Sequence, residues 1–225
     1  MLYVRFEDTA LFFPAKTGCV FSPDSISLNL APIDHVINAD IITLPDFIGI
    51  DYTLFAAPDY FPLLPSSTWT YMRTLDSGEP VDYTVSVSGG ILLDGQAYQQ
   101  FSPDGPAGLA AYRVEGNSVY VIRENKRTEL LRFGVVPGMA WDAGKADGMY
   151  PVSGTFLGLE DVTVSAGTFS DCLKYEVRVN MGETTHETWT MWLAKGIGMV
   201  RSEKVFVNYG EVKERIQDEL KSYKR

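Results

Sequence analysis

Residues that could carry out acid–base, nucleophilic or metal chemistry are scattered along this sequence. The two histidines, His35 and His186, lie far apart, and the two cysteines, Cys19 and Cys172, are too few for a zinc cage, although one disulfide could join them. A catalytic relay or a metal centre needs several such groups at defined spacing. The sequence therefore predicts no catalytic residue, no metal site and no cofactor.

Two short motifs come closer to a binding site. The Gly-Ile-Gly at 196–198 could begin a dinucleotide fingerprint, but Arg201 stands where the third glycine is needed. The segment 141–149 contains Asp142 and Asp147 among glycines, without the alternating oxygen ligands of a calcium loop. We interpret this segment as a solvated loop, with a weak cation site as the alternative.

Aromatic side chains are abundant, at 12% of the chain. Packing in a core is their simplest role, but a curved sheet that is too wide to fill with its own side chains can hold a ligand instead. Under that alternative, the residues predicted to line a cavity are Trp69, Tyr71, Tyr83, Tyr98, Tyr120, Tyr175 and Trp189.

Period-two alternation identifies the elements that would position these side chains. Large apolar residues alternate with polar ones over 81–88 and again over 173–179, and 119–122 is a continuous apolar run typical of a strand covered on both faces. Turn dipeptides rich in Gly, Asp and Asn separate such segments at short intervals. This pattern predicts an antiparallel sandwich, barrel or strongly curved sheet.

The first 58 residues differ from the rest. Five of the twelve prolines lie here, at positions 14, 23, 32, 45 and 58, and they divide the segment into short apolar pieces. We expect residues 1–58 to form an extended N-terminal arm and residues 59–225 to form one antiparallel β-domain. The final segment, 211–225, suits either a helix or a strand, because Val212, Ile216 and Leu220 would share a face in both.

Charge and hydropathy exclude some partners. Asp and Glu outnumber Lys and Arg by 29 to 19, which gives a formal net charge of −10 and disfavours nucleic acid as a partner. No apolar run approaches the length of about 18 residues that a membrane span needs, and the N-terminal residues lack the pattern of a secretory signal.

Five segments carry a resemblance to a known family. They are YFPL at 60–63 with STWTY at 67–71, the segment 134–141, VTVSAGTF at 162–169 followed by CLK at 172–174, WLAKGIGMV at 192–200, and ELKSY at 219–223. In these motifs the chain resembles a bacterial family of envelope proteins that are built on a domain of unknown function. These proteins are often lipoproteins and are similar to open β-barrels of the LolA type.

The resemblance implies an all-β fold, either a strongly curved antiparallel sheet or a half-open β-barrel, in which 219–223 is a strand. It brings no catalytic residues to this chain. It also implies a periplasmic or cell-envelope location. A cytoplasmic location stays open, because Lys16 and Thr17 before Gly18 and Cys19 do not fit a lipobox.

The leading hypothesis is a non-enzymatic envelope protein that binds a lipid or another hydrophobic ligand in the concave face of its sheet. One alternative is a structural or protein-interaction domain that uses an exposed strand edge or the arm to bind a protein partner in the envelope. The other alternative is a hydrolase-type enzyme, whose polar groups would have to converge in a pocket.

Overall fold

The structure is a computed structural model, and it describes residues 2–6, 9–13, 19–22, 26–29, 48–76, 78–93, 95–102, 111–123 and 126–224, with side chains from residue 50 onward except at 123 and 126. The chain forms two compact units, Met1–Leu54 and Phe55–Arg225. The predicted arm over 1–58 and β-domain over 59–225 stay predictions, because four of the five prolines that define the arm lie outside the described residues.

Short strands make up the regular structure described in the first unit. They are β1 (Leu2–Phe6), β2 (Thr9–Phe13), β3 (Cys19–Ser22), β4 (Ile26–Asn29) and β5 (Ile48–Asp51). Strand β2 pairs with β1 and β4 in one antiparallel sheet, and β3 pairs with β5 in another. A 3-10 turn, Tyr52–Leu54, follows β5, and the amide of Thr53 donates a hydrogen bond to Asp51 Oδ1 (3.1 Å).

Twelve antiparallel strands form one continuous sheet in the second unit. They are β6 (Thr68–Leu75), β7 (Val81–Leu93), β8 (Gln96–Ser102), β9 (Ala111–Glu115), β10 (Ser118–Arg123), β11 (Lys126–Arg132), β12 (Ala140–Ala146), β13 (Tyr150–Val164), β14 (Gly167–Asn180), β15 (His186–Ala194), β16 (Gly198–Asn208) and β17 (Glu211–Lys224).

The order of these strands in the sheet is β11-β10-β9-β8-β7-β6-β17-β16-β15-β14-β13-β12. The sheet curves into a nearly closed barrel with one unsealed seam, which lies between β11 and β12. Within the described residues of this unit, a single helical turn, α1 (Ala57–Tyr60), precedes the barrel. The predicted all-β class, with a strongly curved antiparallel sheet or half-open barrel, is confirmed.

Alternating side chains place one face of each long strand in the core of the barrel. Val85 and Val87 of β7 are buried, and so are Leu173, Tyr175 and Val177 of β14, whereas the residues between them are more exposed. The pleat of a strand sends successive side chains to opposite faces, so the periodicity in the sequence identified the inner face correctly.

Strand β10 differs from its prediction. Val119 and Val121 are buried, but Tyr120 and Ile122 on the other face are only partly covered. The run at 119–122 is apolar on both faces, yet only the inner face packs against the core. The guanidinium of Arg127, 3.6 Å from the centroid of the Tyr120 ring, partly covers the outer face.

The final segment is a strand, as the resemblance implied. Strand β17 pairs with both β16 and β6, which places Tyr223 opposite Trp69 and buries Leu220 completely. Two ladders of backbone hydrogen bonds and the burial of Leu220 outweigh the helix propensity of the charged residues in this segment. Strand β17 thereby joins the strands before it to the first strand of the barrel.

The lower end of the barrel, defined here by α1 and the turn at 195–197, is filled by aromatic side chains. Tyr60 and Phe61 are buried, with the Tyr60 ring 6.2 Å from that of Phe133 and the Phe61 ring 5.4 Å from that of Tyr112. The segment before β6 therefore acts as a plug that completes the core at this end.

Two of the motifs found in the sequence meet at the lower end. Trp69 Nε1 donates a hydrogen bond to the carbonyl of Ile197 (2.7 Å), and the Tyr71 hydroxyl donates to the carbonyl of Met199 (2.9 Å). Gly198, between these acceptors, has φ of 99°, a conformation that favours glycine. The two motifs thus hold β6 against the start of β16.

Candidate ligand cavity

A cavity of about 330 Å³ lies inside the barrel at its upper end, defined by the turns at 147–149, 181–185 and 209–210. Seven strands, β10 to β16, contribute to its walls. Its apolar lining includes Val121, Leu130, Val152, Val177, Val179 and Trp189. Because these residues alternate with outward-facing ones, the same pleat that builds the lower core builds this wall.

Charged side chains of both signs complete the cavity lining. Lys145 and Asp147 contribute from the upper end of β12 and its turn, and Glu187 and Lys204 from β15 and β16. Lys204 Nζ lies 2.8 Å from Glu187 Oε2, so these two charges form an ion pair. The cavity lining therefore combines apolar side chains with charged groups of both signs.

The seam of the barrel runs along this cavity. Strand β11 supplies Thr128 and Leu130 to the lining, and β12 supplies Lys145 and Ala146. Strand β11 pairs with β10 and β12 pairs with β13, and no backbone ladder joins β11 to β12 in the described part of the chain. The wall of the cavity thus lacks backbone hydrogen bonds along one line.

Side-chain hydrogen bonds take the place of a ladder at the seam. Trp141 Nε1 of β12 donates to the carbonyl of Glu129 of β11 (3.1 Å). The Tyr175 hydroxyl of β14 donates to the carbonyl of Arg132 at the end of β11 (3.1 Å). The indole of Trp141 is buried, and its ring meets that of Tyr175 edge to face with centroids 6.2 Å apart.

Gly154 makes the position of the Trp141 ring possible. The two residues are opposite each other on β13 and β12. A Cβ atom at position 154 would lie 2.1 Å from Cζ2 of Trp141 and 2.2 Å from its Cε2, closer than any real Cβ contact. Only glycine leaves room for the indole to lie flat against β13.

The interpretation of 141–149 as a solvated loop is wrong. Residues 140–146 form β12, with Trp141 and Ala143 buried. A bulge between Asp142 and Gly144 interrupts the alternation, and an Asp-Gly turn at 147–148 follows, so the segment has the composition of a loop although most of it is a strand.

The structure separates the seven aromatic residues that were predicted to line a cavity. Trp189 lines the upper cavity. Trp69 and Tyr71 line a void of about 20 Å³ at the lower end, which is part of the packed core. Tyr98 and Tyr175 are buried side chains that line neither space.

The other two aromatic candidates lie away from the cavity. The Tyr83 ring stacks on Tyr71 with centroids 5.5 Å apart, and its hydroxyl accepts a hydrogen bond from Arg73 (3.3 Å). Tyr120 lies on the outer face under Arg127. Binding of a ligand by any of these seven residues stays a prediction.

The valines of the cavity wall were not singled out from the sequence. Val177 and Val179 belong to an alternating strand that the sequence did predict, but alternation indicates a face and gives no position along the barrel. The role of Gly154 could have been suspected from a glycine in the interior of a strand, which is typical of close approach by another group.

An ion pair with a buried carboxylate joins the first and last strands of the barrel. Arg73 donates from Nε to Asp218 Oδ1 (2.8 Å) and from Nη2 to Oδ2 (3.0 Å).

Burial, followed by the charge of Asp218, raises the pKa of the Tyr83 hydroxyl far above its ordinary value, so this phenol stays neutral.

Cys172 is a buried free thiol. Burial, with smaller contributions from Asp161, Asp171 and Glu160, raises its pKa to about 12. A thiol with such a pKa is almost fully protonated at neutral pH and is a poor nucleophile. The side chain of Cys19 lies outside the described residues.

In the described ranges, no three His, Cys, Asp or Glu side chains group in a way that could hold a metal ion. Among the same residues, no helix is long and apolar enough to cross a membrane.

Comparison with known proteins finds a match to a family model over part of the chain and a distant structural likeness. Residues 152–211 match the family described as DUF3108-like. These residues comprise most of β13 and all of β14, β15 and β16. No curated protein matches the chain.

Two solved structures are similar to this chain at low identity. One is a candidate lipoprotein from Parabacteroides distasonis, with 12% identity over 73% of this chain and 97% of that chain and a TM-score of 0.41. The other is a candidate exported protein with a YmcC-like fold from Bacteroides fragilis, with 16% identity over 74% of this chain and 99% of that chain and a TM-score of 0.39.

Proposed function

We propose that this protein is a non-catalytic binding protein of the bacterial envelope, and that its barrel holds a lipid or another hydrophobic molecule in the upper cavity. The observation that carries the proposal is the cavity of about 330 Å³ between β10 and β16. The envelope location rests on the sequence motifs and their family resemblance.

The size of the cavity favours a small ligand. Ligand pockets commonly measure roughly 300–1,000 Å³, and this cavity lies at the lower end of that range. One alkyl chain suits such a volume better than two. The apolar walls would take the chain, and the charged residues of the lining, Lys145, Asp147, Glu187 and Lys204, would face its polar head group.

The contrast between the two ends of the barrel supports the same function. At the lower end, aromatic side chains and the plug of α1 leave a void of only about 20 Å³. At the upper end, four valines, Val121, Val152, Val177 and Val179, are among the residues that line a cavity of about 330 Å³. A barrel that needed only stability would gain from larger side chains there, because empty volume weakens a core.

Mass spectrometry of organic extracts from the purified protein tests the proposal directly, and we expect a co-purified single-chain amphiphile. A second measurement uses dodecanoate in competition with the fluorescent probe anilinonaphthalene sulfonate. Val179→Phe fills the cavity and should abolish binding of both compounds. Val205→Phe, on the opposite face from the cavity-lining Lys204, should leave binding unchanged.

Retained binding in the Val179→Phe protein would show that these compounds bind elsewhere. Absence of both a co-purified amphiphile and probe binding in the wild-type protein would refute the function itself.

A protein-interaction domain is the second candidate. Large apolar side chains are exposed in turns at the upper end, with Met149 at 65% and Tyr209 at 82%. Recovery of one specific protein with the wild-type chain, lost on Tyr209→Ser but retained on Val179→Phe, would favour this function over ligand binding.

A further inference from the structure

We propose that the seam between β11 and β12 is the portal through which ligand enters and leaves the upper cavity, and that Trp141 is its latch. This inference rests on the proposed function, because a portal requires a ligand. The seam sets the rates at which ligand binds and dissociates, whereas the cavity lining sets the affinity.

The number of strands makes an open seam unexpected. A ring of antiparallel strands can close fully when their number is even, and this sheet has twelve. Strands β11 and β12 run antiparallel and are joined by the loop at 133–139. They could therefore pair as an ordinary β-hairpin. The local structure of these two strands must account for the missing ladder between them.

Bulges on both sides of the seam explain why the ladder does not form. One bulge lies between Val119 and Tyr120, where β10 pairs with β11, and the other between Asp142 and Gly144, where β12 pairs with β13. Gly144 has φ of 103°, which allows the second bulge its bend. A bulge increases local twist and turns an edge away from its neighbour.

The seam is instead held by few bonds, and the indole of Trp141 forms one of them. Its Nε1 bonds Glu129 across the seam, and Arg132 lies with Cζ 5.8 Å from the ring centroid. A hydrogen bond of this kind is worth little in net terms and opens far more easily than a ladder of several. The cavity wall is therefore easiest to open at the seam between β11 and β12.

Position 154 allows the latch to be released without removing the tryptophan. In Gly154→Ala, the new methyl group occupies the space of the indole, which must leave β13 and lose its bond to Glu129. Trp141→Phe is the complementary variant, because it keeps a buried ring and lacks the N–H donor. Gly182→Ala is the matched control, since nothing lies within 4 Å of a Cβ at that glycine.

Stopped-flow mixing with anilinonaphthalene sulfonate measures the effect. Both latch variants should raise the association and the dissociation rate constants about three- to tenfold, the scale of one lost hydrogen bond, while the dissociation constant changes less than threefold. Gly182→Ala should match the wild type in all three quantities.

A second readout needs no ligand. The indole N–H signal of Trp141, assigned by its loss in Trp141→Phe, should exchange slowly with solvent in the wild type and rapidly in Gly154→Ala. This measurement also shows that the glycine variant is folded, because the signals of the other three indoles must persist in place.

The outcomes separate the portal from the function. Normal binding with unchanged rate constants in both latch variants, while the Trp141 indole exchanges rapidly in Gly154→Ala, would overturn the portal and leave the proposed function intact. Absence of probe and dodecanoate binding in the wild type would overturn both.

Discussion

Arg73 and Asp218 face each other across the pairing of β6 and β17, and both nitrogens of the planar guanidinium edge contact the carboxylate, at 2.8 and 3.0 Å. The Asp218 side chain is 8% exposed and that of Arg73 43%. The carboxylate is thus the buried partner, and the guanidinium connects it to solvent.

Arg73→Leu should destabilise the barrel by roughly 1.5–3 kcal/mol, the value of a hydrogen bond to a charged group, because it leaves a carboxylate in the wall without its partner. Urea unfolding followed by fluorescence measures this loss. The double variant Arg73→Leu/Asp218→Leu should regain part of it, because the unpaired charge is then gone. An Arg73→Leu protein as stable as the wild type would contradict the assigned role.

The Cys172 thiol should resist modification in the native protein. Its pKa of about 12, against an ordinary value of 9.0, lowers the thiolate fraction at pH 8 about a thousandfold, since the two values differ by 12 − 9 = 3. Alkylation by iodoacetamide, measured by mass spectrometry in a Cys19→Ser background, should become fast only in denaturant. Rapid native labelling at pH 8 would contradict the burial of this thiol.

Stability should fall in alkaline solution. The folded pKa of Cys172 is raised above its unfolded value, so its contribution is fully present below about pH 9 and is lost as the pH rises towards 12. Burial also raises the pKa values of Tyr71 and Tyr175, which act in the same direction at higher pH.

Urea unfolding at pH 8, 9.5 and 11 tests this expectation. Cys172→Ala should lessen the decrease between pH 9 and 11, and Cys19→Ser is the control for general thiol effects. Equal slopes in the wild type and Cys172→Ala would show that this thiol does not contribute.

The hairpin between β16 and β17 should accept a stabilising substitution. Tyr209 has φ of 49° and Gly210 has φ of 78°, the conformation of a two-residue turn in which Asn-Gly is the preferred pair. Tyr209 is exposed, so Tyr209→Asn removes little packing and should raise stability by about 0.5–1 kcal/mol. Thermal unfolding measures the gain.

Gly210→Ala provides the opposite case. It should lower stability by about 1 kcal/mol, because alanine is strained at this φ although space for its methyl group exists. A Tyr209→Asn protein less stable than the wild type would mean that the exposed phenol makes a contact that stabilises the fold.

The sequence predicted the sheet well where alternation was unbroken. Strands β7 and β14 follow directly from the apolar residues at 81–87 and 173–179. Strand β12 was mistaken for a loop because the bulge at Asp142 moves Trp141 and Lys145 out of a common register. A period-two pattern does not identify a strand that a bulge interrupts. The pairing with the neighbouring strand continues beyond the bulge, but that pairing cannot be seen in the sequence.

The candidate site was less predictable. Composition identified aromatic residues as cavity candidates, but it could not tell Trp189, which lines the upper cavity, from Trp69, which packs beneath it. That difference depends on the plug formed by Tyr60 and Phe61, which fills the lower end. Depth along a barrel is a tertiary property, and period-two patterns do not encode it.

The placement of the seam has a consequence for how the chain assembles. Backbone hydrogen bonds pair β6 with β17, although these strands are far apart in sequence. Strands β11 and β12 are consecutive in sequence, yet no such ladder pairs them. The unit is therefore two meanders of local hairpins, β6–β11 and β12–β17. Local pairs form early and distant ones late, so docking of β17 on β6 is the expected slow step.

Cleavage of the loop at 133–139 would break no ladder between strands. Two separately synthesised meanders should therefore reassemble into the barrel, with the seam again between β11 and β12.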